Sequence, residues 1–179
     1  MDLLDRVAWA PSAGPRPGAG IDIIHAETVV PASLDNTFAF FADASNLERL
    51  TPPWLNFRIR TPLPIAMHEG AIIDYRIVLH GWPIPWRTRI DAWEPGRRFV
   101  DRQVSGPYRW WHHEHCFEPA GGGTRVIDHV EFRPRLRRLT GRLVRRDVER
   151  IFGYRREALA RLFDPGVAAR QSAEAEEKE

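Results

Sequence analysis

Two histidines, His113 and His115, and two aspartates, Asp101 and Asp128, are the residues of this chain best suited by type and spacing to do chemistry. Side chains two apart on a strand point to the same face, so the two imidazoles are expected side by side. An imidazole titrates near neutrality, and one held by a carboxylate in an apolar pocket is suited to proton transfer during aldol cyclisation or dehydration. The same groups could make a two-histidine, one-carboxylate metal set. That spacing arises often by chance in aromatic-rich strands, so no metal and no cofactor is expected. The sequence holds no nucleophile motif, no Gly-rich phosphate loop and no paired cysteines. Any enzyme here would work by cavity shape and general acid–base help. Cys116 is expected to face outward with His112 and Glu114, with no base to activate it.

The elements that must position these residues follow from the hydrophobic pattern. Ile21 to Val30 reads as a strand, and Ser33 is a plausible N-cap for a helix carrying Leu34, Phe38 and Phe41. A second short helix spans about Asn46 to Leu50. Six strand-like runs follow: Asn56–Thr61, Ala71–His80, Ile84–Trp93, Arg98–Val104, Arg109–Glu118 and Thr124–Arg133. Gly81, Pro95-Gly96, Gly106-Pro107 and Gly121-Gly122-Gly123 punctuate them as hairpin turns. A long helix from about Leu139 to Phe163 carries Leu139, Leu143, Val148, Ile151, Phe152, Leu159 and Leu162 as one apolar stripe. The predicted fold is therefore α+β. It is a seven-stranded curved antiparallel sheet, with two short helices after strand 1 and a long C-terminal helix over a cavity.

Alternation then sorts the side chains. The inner faces should hold Ile73, Tyr75, Ile77 and Leu79; Trp86, Thr88 and Ile90; Phe99, Asp101 and Gln103; Trp111, His113, His115 and Phe117; and Val126, Asp128, Val130 and Phe132. The opposite face of the last strand, with Arg125, His129, Glu131 and Arg133, should be wet. A buried polar group without a partner costs about 1–3 kcal/mol, and a lone carboxylate more. Either the inward polar groups satisfy one another and only fix register, or they line a partly hydrated cavity and orient a ligand.

Bulk properties narrow the function classes. The 179 residues fit one domain, and 26 Lys+Arg against 24 Asp+Glu give no global argument for nucleic acid. No apolar run approaches the roughly 20 residues that cross a bilayer, so no stable membrane insertion is expected. An acidic start (Asp2, Asp5) without an apolar stretch does not read as a secretory signal, and a single cysteine suits a reducing compartment, so the cytoplasm is the expected location. Residues 1–20, rich in Pro and Gly, are expected to be a flexible lead, 21–163 the folded domain, and 164–179 a disordered acidic tail. Arg133, Arg135, Arg137, Arg138, Arg142, Arg145, Arg146 and Arg150 crowd the start of the last helix. They are expected to be a solvated face paired with Asp147 and Glu149 rather than a surface for acidic headgroups or nucleic acid. The loops near Trp54 and Trp82-Pro83 are candidates for the cavity entrance.

One run in the sequence carries a resemblance. Phe99-x-Asp101-x-Gln103-x-x-Gly106-Pro107-Tyr108-x-x-Trp111-x-His113-x-His115-x-Phe117, followed by Gly122-Gly123-Thr124 and Asp128-x-Val130, resembles the ligand-binding SRPBCC proteins of the START-like, polyketide-cyclase-like helix-grip superfamily. Leu50-Thr51-Pro52 and Ile151-Phe152-x-Tyr154-Arg155 look like the same subgroup. The resemblance implies a deep cavity between sheet and last helix, where alternation also points. That superfamily spans lipid carriers, cyclases, hydroxylase domains and hormone receptors, so the resemblance does not choose a substrate. The expectation is a domain that binds a small, mostly apolar molecule with a polar end. Tyr75, Trp86, Phe99 and Trp111 would form walls with Thr88, and Asp101, Gln103, His113, His115 and Asp128 would orient the ligand. The alternative is a cyclase or dehydratase with His113 or His115 as general base and Asp128 or Asp101 as its partner.

Overall fold

A computed structural model describes residues 20–164 and Gly166. The predicted flexible lead, apart from Gly20, and most of the predicted tail lie outside the described residues. In chain order the elements are β1 (Asp22–Val30), α1 (Leu34–Ala42), a 3₁₀ turn (Ala44–Asn46), α2 (Leu47–Leu50), a second 3₁₀ turn (Pro53–Leu55), β2 (Arg58–Ile59), β3 (Ile72–Leu79), β4 (Trp82–Glu94), β5 (Arg98–Ser105), β6 (Tyr108–Ala120), β7 (Gly123–Pro134) and α3 (Arg137–Leu162). Ser33 caps α1 as expected, its Oγ accepting from the Asn36 amide at 3.3 Å. The predicted strand over residues 56–61 shrinks to Arg58–Ile59.

Among the described residues the seven strands form one antiparallel sheet in the order β1-β7-β6-β5-β4-β3-β2. Strands β3 to β7 are successive hairpin neighbours, while β1 closes the far side by pairing with β7, Asp22 opposite Phe132. Register shifts in β4 at Arg87/Thr88 and Ile90/Ala92, and in β6 at Tyr108/Trp110, add residues to one strand of a pair. Such bulges bend the strand and increase its twist, which curls the sheet around α3. Gly123 lets β7 start against the end of β1, since a Cβ there would overlap the Val30 carbonyl oxygen.

Two apolar clusters fill the concave side. One joins Trp86, Tyr108, Val130 and Phe132 to Val148 and Phe152 of α3. The other joins Phe38 and Phe41 of α1, Phe99, Phe117 and Val126 to Ala158 and Leu159. α3 thus seats Val148, Phe152, Arg155, Ala158 and Leu159 inward, at helical spacing. The predicted stripe is not continuous: Leu139 is 85% exposed and Leu143 53%, because at helical spacing they fall on the face of α3 away from Val148, Phe152 and Leu159.

The convex face departs from expectation as well. His129 and Glu131 are buried, not wet, as are Glu114 and Cys116. β7 lies between β1 and β6, and neighbouring side chains close over it. The His25 ring meets His129 edge-on at 6.2 Å, Glu131 lies 3.6 Å from His129 Nε2, and Trp110 stacks on His112, which sits opposite Glu131. Glu114 takes a 2.7 Å bond from Arg98. Cys116 points to this outer side with Glu114, but is covered.

Candidate functional site

Three consecutive strands and the helix bring five ionisable side chains together: Asp101 from β5, His113 and His115 from β6, Asp128 from β7 and Arg155 from α3. The i, i+2 spacing on β6 puts the two imidazole centroids 3.7 Å apart. Register does the rest, since His113 lies opposite Asp101 and His115 opposite Asp128 across the ladders. His113 Nε2 is 2.9 Å from Asp128 Oδ1 and its Nδ1 3.3 Å from Asp101 Oδ2. His115 Nε2 is 3.0 Å from Asp101 Oδ2. Arg155 donates to Asp128 through Nε at 2.9 Å and Nη2 at 3.1 Å, and Nη2 also lies 3.1 Å from His115 Nδ1. The Arg155 guanidinium further lies over the Phe41 ring, and Phe99 stacks on His115 at 4.1 Å.

Donor accounting assigns the protons. Both His113 nitrogens face carboxylate oxygens, so the ring serves best as the doubly protonated cation. His115 Nδ1 lies between the Asp128 Oδ1 acceptor at 3.0 Å and the Arg155 Nη2 donor at 3.1 Å. Because the guanidinium only donates, a neutral ring protonated on Nε2, facing Asp101, is the form that satisfies Arg155. The electrostatics agree. Burial pushes His113 down, but the Asp101 charge and hydrogen bonds to both aspartates outweigh it and raise its pKa. Burial, reinforced by the His113 charge, lowers that of His115. Burial alone would raise both aspartates. The His113 charge and two imidazole hydrogen bonds instead hold Asp101 far below the usual carboxylate range. Arg155 and the two imidazoles do the same for Asp128. Two carboxylates, one guanidinium and one imidazolium leave the cluster with no net charge.

The cluster forms part of the wall of a cavity of about 180 Å³ between sheet and helix. Apolar and aromatic side chains make up most of the lining, among them Phe41, Leu55, Ile73, Tyr75, Trp86 and Phe152. Of the expected wall residues, Tyr75, Trp86, Thr88, Phe99 and Trp111 all line it, and so do Asp101, His113 and His115. Asp128 stands behind the two histidines and does not line it. Thr88 Oγ1 accepts from Trp86 Nε1 at 3.1 Å and lies 3.3 Å from the Tyr75 hydroxyl. Burial and the nearby Asp101 charge raise the Tyr75 pKa well above its ordinary value, keeping the phenol protonated.

Gln103 is a correction. It stands on the right strand face but does not line the cavity; its amide donates to the Tyr108 carbonyl at 2.8 Å and accepts from the Tyr108 amide at 3.2 Å. The side chain thus clamps the Gly106-Pro107 turn, a role that Gly106 permits because a Cβ there would strike the Gln103 side chain. Of the segments named as entrance candidates, Thr51 and Leu55 near Trp54, and Leu79 near Trp82, line the cavity. Neither Trp54 nor Trp82 lines the cavity; Trp54 packs edge-on against Tyr154 at 5.6 Å beneath Arg150.

Arg155 is the residue that sequence reasoning missed. Its position was legible, because 148, 152, 155 and 159 fall on one helical face and Arg155 is the only charge in that apolar set. A buried guanidinium demands a carboxylate, and Asp128 is the one it meets. Asp101, His113 and His115 are also the residues that could hold a metal, since their donor atoms all lie within 4.8 Å of one another. In the present arrangement those atoms hydrogen-bond to each other.

The fold is shared with solved structures of known description. The Zhui aromatase/cyclase from Streptomyces sp. R1128 superposes with a TM-score of 0.64 at 16% identity, covering 78% of this chain and 92% of that one. The protein CV1439 from Chromobacterium violaceum gives 0.64 at 15%, covering 80% and 98%. The ginseng major latex-like protein 151 from Panax ginseng gives 0.60 at 10%, covering 81% and 99%. In sequence, residues 82–163 match a domain of unknown function, DUF8410. That span runs from β4 through α3 and includes all five members of the charged cluster. No curated protein matches the sequence.

Proposed function

On the premise that the chain has the helix-grip fold of these neighbours, we propose that it binds a small, largely apolar molecule carrying one hydrogen-bond donor, such as a phenol or alcohol. The observation that carries this reading is an open acceptor in a largely apolar cavity wall. Asp101 Oδ2 is taken by the two imidazoles, while Oδ1 has no hydrogen-bond partner among the described residues. Asp101 is also the most exposed of the cluster's carboxylates, its side chain 18% accessible against 6% for Asp128. A cavity of about 180 Å³ compares with the roughly 150 Å³ apolar cavity that takes benzene, so the ligand is a one- or two-ring compound. Tyr75 and Trp86, stacked at 5.6 Å, supply flat apolar surface.

The cyclase or dehydratase reading has less support from the same geometry. Both His113 nitrogens face carboxylates, and His115 has Nε2 on Asp101 and Nδ1 enclosed by Arg155 and Asp128, so neither imidazole has a nitrogen open to take a proton from a substrate. The aromatase/cyclase description belongs to the Streptomyces neighbour and shows a shared fold alone.

The test is native mass spectrometry of the purified chain, followed by titration with 2-naphthol against naphthalene. Binding of 2-naphthol, weakened about ten-fold or more by Asp101→Asn, is the expected result, since a hydrogen bond to a charged group contributes about 1.5–3 kcal/mol. Equal affinity for naphthalene and 2-naphthol would remove Asp101 from recognition. No binding of either, with no co-purifying organic mass, would leave the cluster a structural network.

A further inference from the structure

The first turns of α3 carry large apolar side chains where the fold does not bury them. Leu136, Leu139 and Leu143 recur at spacings of three and four, which places them on one helical face. They are 63%, 85% and 53% exposed. This face is nearly opposite the one that carries Val148, Phe152, Arg155 and Leu159 into the core, so it cannot pack against the same domain. Arginines flank it. Arg138, Arg142 and Arg146, spaced by four, form a row beside the leucines, and all three are exposed.

These arginines are exposed as expected from sequence, but the expected pairing holds only in part. Arg137 is paired with Asp22 at 3.2 Å and Arg145 with Glu149 at 2.9 Å, but Asp147 is taken by His80 at 2.9 Å. Among the described residues Arg138, Arg142 and Arg146 have no acidic partner. The first turn of α3 holds no acidic residue and its Leu136 N-cap offers no side-chain bond. Cations therefore crowd the positive end of the helix dipole, where charge of their sign is disfavoured and an external anion is favoured. The His80–Asp147 contact also holds the tip of the β3–β4 hairpin beside the helix, and next to His80 and Gly81 stands Trp82, 75% exposed.

From these observations we propose that the first half of α3, together with the β3–β4 hairpin tip, docks on the surface of an anionic lipid bilayer. The leucine ridge and Trp82 enter the headgroup–acyl boundary while Arg138, Arg142 and Arg146 meet lipid phosphates and carboxylates. An apolar ridge bordered by cations is the pattern of a helix lying in that plane. A nucleic-acid partner would use the arginines but leave the leucines wet, and this face of α3 has no aromatic rings for bases to stack on. The docked face adjoins the cavity, because Leu79, Val144 and Asp147 line it. The docking itself does not depend on what the cavity holds.

The experiment is co-sedimentation of the full chain with vesicles of phosphatidylcholine and phosphatidylserine (7:3), and with phosphatidylcholine alone, at low and high salt. Partition to the anionic vesicles only, weakening with salt, is expected. Arg138→Gln/Arg142→Gln/Arg146→Gln should lower partition about 100-fold, at about five-fold per arginine. Leu139→Gln/Leu143→Gln, with every charge kept, should lower it at least ten-fold. Both variants alter exposed positions, and unchanged melting temperatures would show that they fold. Absence of partition to anionic vesicles at low salt would overturn the proposal. So would a leucine variant that binds as well as the parent, and tighter binding to single-stranded RNA than to vesicles would assign the arginines to nucleic acid instead.

Discussion

Replacing Asp128 by Asn keeps the shape of the side chain and removes its charge. In the native protein this carboxylate accepts from His113 Nε2 at 2.9 Å and from Arg155 at 2.9 and 3.1 Å, and it is 4% exposed. An amide keeps one oxygen and turns the other acceptor into a donor aimed at an existing donor. Arg155, 7% exposed, is then a buried cation without its counterion. Removing one partner of a buried ion pair costs about 3–5 kcal/mol. At about 2–4 °C per kcal/mol for a domain of this size, Asp128→Asn should melt about 6–20 °C lower than the parent. Urea unfolding at pH 7, followed by tryptophan fluorescence, gives the free energy directly. Asp128→Leu/Arg155→Met, which removes both charges, should recover at least half of the loss, because a buried pair exchanged for apolar groups is often neutral. A loss below about 1 kcal/mol in Asp128→Asn, at unchanged m-value, would refute the reasoning: the cation would then have water or another partner.

His113 and His115 should titrate on opposite sides of the ordinary histidine value of 6.5, His113 above and His115 below. Two-dimensional ¹⁵N spectra of the imidazoles can follow both, and the reverse order would refute the proton assignment. A histidine whose folded pKa is raised stabilises fully below its unfolded value, and that stability is lost as pH rises through the folded one. His113→Gln should therefore cost more at pH 5.5 than at pH 9 in urea unfolding; equal losses would mean that only packing was removed. Gly123→Ala should cost about 1–3 kcal/mol by forcing β1 from β7, measurable by thermal melting. Leu159→Ala, at a fully buried site, should cost about 2–5 kcal/mol, and a value below 1 would show that the site collapses without a void.

Much of this was legible because period and punctuation agreed. Turn glycines marked the hairpins, and strand alternation put Tyr75, Trp86, Thr88, Phe99, Trp111 and both histidines on the concave face, where they are found. Alternation says which face a side chain takes but not what lies over that face. It therefore misjudged His129 and Glu131, which central strand position and neighbouring rings bury on the convex side. It also could not separate Gln103, spent on its own turn, from Asp101 on the same face of the same strand. A count of apolar residues along α3 suggests one stripe, but helical phase places Leu139 and Leu143 nearly opposite Val148, Phe152 and Leu159, and they stay exposed. Arg155 entered only through the resemblance and was given no place in the site, because a charge on an apolar stripe was not read as a demand for a buried acid.

The order in which the cluster's members appear along the chain bears on how the protein folds. Strands β5, β6 and β7 are joined by tight hairpins, so Asp101, His113, His115 and Asp128 can gather through local pairing. At that stage two carboxylates face one imidazolium, and the pocket carries an excess negative charge. α3 comes after these strands, and β1 must pair across about a hundred residues of chain, which makes its closure the entropically costly step. An amphipathic helix can slide or turn by a few residues on an apolar surface at little cost. Here a single guanidinium must find a single carboxylate, so a helix docked one turn out of place would bury Arg155 against hydrocarbon and leave Asp128 unneutralised. The ion pair thus selects the one alignment of α3 that shapes the cavity, whatever it adds to the depth of the folded minimum.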